Sequence, residues 1–189
     1  QTGTTTELNL ADFFRLNGIS YEALPIETND EGKENLFAGR CDVYTTDASG
    51  LSSTRAAAAD PSKWLVLPEI ISKEPLGPLV RHGDHQWGDV VRWSLNAMII
   101  AEELGITSEN VDASLGSNVP EVLRLLGVEG SYGEMLELSP DWAYQILKQI
   151  GNYSESYEAN VGPDTPLEIA RGLNALWTQG GILYAPPFR

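Results

Sequence analysis

The stretch Arg40-Cys41-Asp42-Val43-Tyr44-Thr45-Thr46-Asp47, followed by the small-residue run Ser49–Ala59, decides how the first part of the chain is read. Val43–Thr46 is rich in β-branched and aromatic residues, which suit a pleated, half-buried surface. Ser49–Ala59 suits a helix, and Asp60-Pro61 ends it. The same alternation holds on either side. Tyr21–Ile26 reads as a strand, with Pro25 placing it at an edge or an end. Asp30–Ala38 reads as a short helix closed by Gly39, a residue suited to the left-handed cap. Trp64–Leu67 is a further strand. Upstream, Thr4 and Glu7 have capping-box spacing, and Leu8, Leu10, Phe13 and Phe14 follow on a helical face. Strands alternating with helices at these spacings predict an α/β fold with a parallel, or mostly parallel, sheet.

The pattern changes from Leu67 to Val80, where Pro68, Pro75, Gly77 and Pro78 punctuate an extended connector. Residues 1–80 and 81–189 are therefore expected to form two bodies. A helix is predicted from His85 to Leu104, with Gly105 as its stop. Its apolar residues, Trp87 to Leu104, cover more than one stripe, which predicts burial on more than one side. The remainder reads as helical: Val119–Leu126 before Gly127, Pro140–Ile150 after Ser139, and Pro166–Gln179 between Thr165 and Gly180.

Composition narrows the function. The chain has 189 residues, 42% of them hydrophobic and 21% charged, which is a globular balance. Its formal net charge of −15 repels phosphate backbones and anionic membranes, so nucleic acid is not an expected partner. The single cysteine excludes an intrachain disulfide and a cysteine-based zinc cage. No apolar run reaches the length of a membrane helix. The chain begins at Gln1 rather than Met, so the lack of a visible leader says nothing about compartment.

Two groups carry candidate chemistry. Gly3-Thr4-Thr5-Thr6 opens a helix, where free N–H groups, the helix dipole and hydroxyls suit a carboxylate; simple capping explains the same pattern. Asp47 follows a β-prone run, at the end of a strand where ligands of α/β sheets bind, and suits an ammonium group. It equally suits a cap for the next helix. His82 and His85 lack an obvious third ligand, so no metal is expected. Cys41 has no histidine base within its own body and reads as a structural thiol. Glu102-Glu103 read as a solvated face, and the tryptophans with Tyr153, Tyr157 and Tyr184 as core. No phosphate-binding loop, nucleophile elbow or zinc-protease motif is present, and no acid–base pair argues for an enzyme.

Several longer blocks add a resemblance. Gly3-Thr4-Thr5-Thr6-Glu7-Leu8-Asn9-Leu10, Gly39–Asp47, Leu67–Pro78, Arg171–Trp177 and Tyr184-Ala185-Pro186-Pro187-Phe188-Arg189 together resemble the periplasmic solute-binding proteins of general L-amino-acid ABC transporters. The resemblance covers nearly the whole chain. It implies a type II periplasmic binding fold, in which two lobes close on a ligand. Residues 1–80 match the ligand-binding second lobe and its crossover. Residues 81–189 match the part that packs on the first lobe and a helical C-terminal region. The position matching Thr5 usually holds the ligand carboxylate and that matching Asp47 the α-amino group. Gly3, Thr4, Thr5 and Asp47 are accordingly the expected ligand residues, with no cofactor. An amino acid or similar zwitterion is the expected ligand, a transporter permease an expected partner, and the periplasm the expected location.

The departure is the N-terminal segment of the first lobe, which this chain does not match. In the family that segment supplies an aromatic wall, hydroxyls and a carboxylate-clamping arginine. A helix His85–Leu104 without its usual sheet should expose apolar surface, so a homodimer, formed by exchange of the segment after the crossover, is expected. The other reading is an assembly module that dimerises and has lost solute binding.

Overall fold

A computed structural model describes residues 1–189. The chain divides into two compact units, one of residues 1–76 with 166–169, the other of residues 77–165 with 170–189.

The first unit holds α1 (Thr5–Leu16), α2 (Asn29–Phe37) and α3 (Ala48–Ala56). Thr28 caps α2 by accepting from the Glu31 N–H at 3.2 Å, and the Glu31 carboxylate reaches back to the Glu27 N–H at 2.8 Å. Gly39 then leaves α2 with φ +68°, the left-handed turn the sequence implied. The interior of this unit is small. It buries Ile26, Gly32, Asn35, Ser52 and Thr54. Gly32 is required there, because the Ile26 and Tyr44 side chains fill the space a Cβ would take. A single backbone bond, Thr2 N–H to Ile26 C=O at 2.9 Å, ties the N-terminus alongside this cluster.

The expected parallel sheet is not formed. Residues 21–26, 43–46 and 64–67 carry no ladder, and the molecule has one isolated bridge, Leu176 with Leu183. β-prone composition needs a neighbouring backbone and a shared buried face before it becomes a strand. Here Val43 and Leu65 remain 69% and 79% exposed, so burial selects no register for these runs.

The second unit carries most of the apolar burial. It comprises α4 (His85–Glu103), α5 (Val111–Ser114), α6 (Pro120–Leu125), α7 (Tyr132–Met135), α8 (Trp142–Ile150) and α9 (Tyr153–Asn160). Asp84 caps α4 by accepting from the Trp87 N–H at 3.1 Å, and Gly105 ends it with φ +68°. α4 packs on α8 and α9. Ala97, Ile99, Ile100 and Ala101 are buried at its C-terminal half, whereas Trp87 at its start is 55% exposed. Burial on more than one side thus holds for the second half of this helix. Val111, Leu125, Leu126 and Leu147 complete the interior. Phe188 closes it, with its ring 5.2 Å from Trp93, 5.4 Å from Tyr132 and 6.1 Å from Trp142. Arg124 holds the Phe188 carbonyl at 3.0 Å.

Two expectations are corrected here. Residues 166–179 form no α-helix, only 3-10 turns at Gly172–Asn174 and Trp177–Gln179. Glu168 and Gly172 sit at φ +52° and +48°, and each left-handed residue breaks helical progression. Glu102 is not a solvated group. Its side chain is 8% exposed and receives Arg171 at 2.9 Å, while the same guanidinium lies 5.3 Å from the Tyr153 and Tyr157 rings and donates to the Asn174 carbonyl. The helix spacing seen in sequence gave no sign of this long-range partner.

α9 begins with a full capping box between Asn152 and Glu155. Asn152 also donates to the Ile106 carbonyl at 2.8 Å, and Glu155 accepts from the Ser108 hydroxyl at 2.6 Å. On the surface, Asp112 of α5 accepts from Lys148 at 2.7 Å and Tyr144 at 2.9 Å, both on α8. The Lys148 bond, then that of Tyr144, holds the Asp112 carboxyl below its ordinary range. A lowered folded-state pKa stabilises above the unfolded value, and this contribution is lost as pH falls through the lowered one. Asp112→Asn should therefore lower the melting temperature at neutral pH, with the difference from the parent disappearing in acid when the two are scanned across pH.

Gly127 carries φ +74°, and a Cβ there would run into the Pro140 carbonyl oxygen. Strain and overlap act together, so Gly127→Ala should cost about 2 kcal/mol or more, read as a shifted urea midpoint with an unchanged slope.

Candidate functional site

α1 starts with its N–H groups uncovered. Thr4 is its N-cap, yet no side chain caps the first turn. The Thr4 hydroxyl donates instead to the Gln1 carbonyl at 2.7 Å. The Glu7 carboxylate turns back past Thr4 to the Gly3 N–H at 2.8 Å. The capping box suggested by Thr4 and Glu7 is therefore not made between them. The positive end of a 12-residue helix is left facing outward.

Asp47 precedes α3 in the same way. Its backbone carbonyl accepts from the Leu51 N–H at 2.9 Å, but its carboxylate makes no capping bond. Its backbone, at φ −55° and ψ 147°, is extended enough to turn the chain into α3 without that bond.

These two uncapped helix starts share a cavity of about 290 Å³ within the first unit. Thr4, Thr5 and Thr6 line one part of it, and Thr45, Thr46 and Asp47 another. Gln1, Asn29, Glu74 and Leu76 complete the lining. Gly3 is not part of the lining, and its N–H is occupied by Glu7; its left-handed φ of +72° lets the chain turn into α1. Of the four residues singled out by sequence, Thr4, Thr5 and Asp47 are thus brought together, with Gly3 adjacent in the chain.

Glu74 was not singled out. It is anchored by Asn9 of α1, whose side-chain N–H donates to it at 2.7 Å. Asn29 likewise escaped notice, and it accepts from the Tyr44 hydroxyl at 3.1 Å. Burial raises the Tyr44 pKa, which keeps that hydroxyl protonated and donating. No local pattern links Glu74 to Asp47, which are far apart in sequence and share the lining of this cavity. The lining contains hydroxyls, amides and two carboxylates, and neither Lys nor Arg. Chemically it can accept an ammonium group at a carboxylate and a carboxylate at the helix start.

The other candidates behave differently. His82 and His85 are exposed, and no group of three metal-ligating side chains gathers anywhere. Cys41 is half-buried, and burial, followed by Asp42, raises its thiol pKa away from the reactive thiolate. Tyr184, expected in the core, is 73% exposed.

No protein-family model matches the chain. It is 55% identical over 190 residues to the glutamate/glutamine/aspartate/asparagine-binding protein BztA of Rhodobacter capsulatus. It is 54% identical over 191 residues to the general L-amino acid-binding periplasmic protein AapJ of Rhizobium johnstonii. It is 52% identical over 190 residues to the putative amino-acid ABC transporter-binding protein YhdW of Escherichia coli. Each match covers 100% of this chain and 56% of the relative, so the chain spans about half the length of the curated relatives it matches. Among solved structures, an ABC transporter / periplasmic binding protein from Brucella ovis with glutathione bound superimposes with a TM-score of 0.94 at 50% identity, covering 100% of this chain and 60% of that one. These relatives are solute-binding components rather than enzymes, and the chain is homologous over its whole length to the periplasmic binding proteins of amino-acid ABC transporters.

Proposed function

We propose that the chain is a ligand-binding part of an ABC uptake system for amino acids or related small zwitterions, acting in the periplasm beside a transporter permease. The observation that carries this reading is the cavity shared by the start of α1 and Asp47, with both capping arrangements left unmade. Thr5, with the N–H groups of the first turn and Thr4 beside it in the lining, receives the ligand carboxylate. Gly3 supplies the turn that exposes those groups. Asp47 receives the α-ammonium. Residues 1–80 are the ligand-binding lobe in this reading, and residues 81–189 are the region that packs on the other lobe of the longer relatives. The absence of Lys and Arg from the lining means that the carboxylate meets dipoles alone on this side. The ligand's remaining polar groups need a wall supplied from outside this chain, so affinity for the isolated chain is weak.

Self-association is the second part of the proposal. Leu65, Ile70, Leu76 and Leu79 are each 79% exposed or more, apolar side chains that the chain itself leaves without a cover. A second copy is the simplest cover. If solute binding is absent while the dimer persists, the chain is an assembly module instead.

Calorimetry against the common amino acids and glutathione tests the binding reading. At least one should give saturable heat, and Asp47→Ala should weaken it about tenfold or more, as loss of a charge-assisted bond does. Unchanged affinity in that variant rejects the assignment of Asp47. Sedimentation at micromolar concentration should show a dimer; a stable, folded monomer rejects the self-association.

A further inference from the structure

The second unit holds a separate cavity of about 260 Å³ that no part of the reading above uses. Its floor is apolar: Ile100 and Leu104 from the end of α4, with Ala185 and Pro187 beside them. Its walls are the rings of Trp177 and Tyr184, packed edge to face at 5.5 Å. Both rings are largely exposed, 49% and 73%, which is unusual for residues whose neighbours are core. Two carboxylates, Glu103 and Glu121, stand in the lining. Glu103 is oriented by the Trp177 indole N–H at 3.1 Å, so the carboxylate and the ring form one rigid element. Neither glutamate belongs to any of the molecule's ion pairs. Arg189 is the single basic side chain of the lining, and it too is unpaired.

An apolar floor, two aromatic faces and two carboxylates outside any ion pair, set against one arginine, favour one chemistry. An alkyl stem fits against Ile100 and Leu104, and an ammonium head fits between the ring faces and the carboxylates. Caps and core packing do not account for the arrangement. Tyr184 contributes little burial, and the Trp177 indole bond to Glu103 ties together two groups that are both at the surface. The chain's net charge of −15 adds long-range attraction for a cation.

We propose that Glu103, Glu121, Trp177 and Tyr184 form a second binding site, for a primary ammonium group on a short apolar stem. The stem and head are supplied by a free alkylamine or by a lysine side chain. The site is independent of Asp47 and of the cavity at α1.

The test is a titration of the full chain followed through the indole N–H signal of Trp177 in a nitrogen-resolved NMR spectrum, assigned with Trp177→Phe. n-Butylammonium should move this signal saturably. n-Butanol, with the same stem and no charge, should not. Glu121→Gln, a change outside the packed interior, should raise the apparent Kd by about fivefold or more, with an unchanged melting temperature. N-acetyl-lysine N-methylamide distinguishes the sources: binding tighter than the amine identifies a protein side chain, and weaker binding identifies a free amine. Equal shifts with n-butanol would reduce the pocket to an apolar dimple and overturn the proposal. So would an unchanged Kd in Glu121→Gln, or preferential binding of n-butanesulfonate, which would assign the cavity to Arg189. No saturable shift up to about 100 mM amine also overturns it. Asp47→Ala should leave this titration unaltered, so its outcome is separate from that of amino-acid binding.

Discussion

Ala97 and Ala101 lie one turn apart on α4 with no accessible surface, and what they lack in bulk sets the geometry of the second unit. A methyl group is the largest projection α4 makes at those points, so α8 and α9 can approach it closely. Ile99, Ile100 and Leu147 then fill the flanks, and Leu125, Leu126 and Val111 close the layer beneath. Dispersion attraction falls steeply with a gap of even half an ångström, so this approach decides whether the interior is dense or hollow. The aromatic cluster around Phe188 and the bond from Arg124 presuppose it, since both sit on the rim of the same interior.

The first unit is held differently. It buries few apolar side chains and instead relies on hydrogen bonds that turn the chain at its helix ends, such as Thr28 with Glu31 and Gln1 with Glu27. Such bonds satisfy backbone groups but leave others open, and the open ones gather around one cavity. In an interior dominated by packing, an uncovered helix start beside an unpaired carboxylate would be expensive to retain. At a half-exposed site water covers that cost.

Legibility from sequence followed the range of the interaction. Helix stops at Gly39, Gly105 and Gly127 were readable because a left-handed residue acts on its own turn, and all three have φ between +68° and +74°. α4 was readable because its periodicity extends over 19 residues. Residue type alone does not single out Thr5 and Asp47, since each has an equally good capping explanation locally. The strands were not settled by β-branched composition, because pairing depends on a second segment. The burial of Glu102, the exposure of Tyr184 and the coil at 166–179 are likewise decided by partners far away in the chain. Glu168 carries no residue-type signal for its positive φ, so the broken helix was invisible.

The Arg171 cluster has a consequence for how the C-terminal coil is retained. That segment has no α-helix of its own, and besides the Phe188 contacts and the Trp177 bond to Glu103 it is moored through one cation to a shielded carboxylate, two phenol rings and a carbonyl. Each of those moorings answers to the chemistry of a guanidinium head. Guanidinium salts present the same head in solution and compete at every point of attachment, whereas urea matches none of the charge. Guanidinium thus weakens this attachment through charge as well as solvation, and urea through solvation alone.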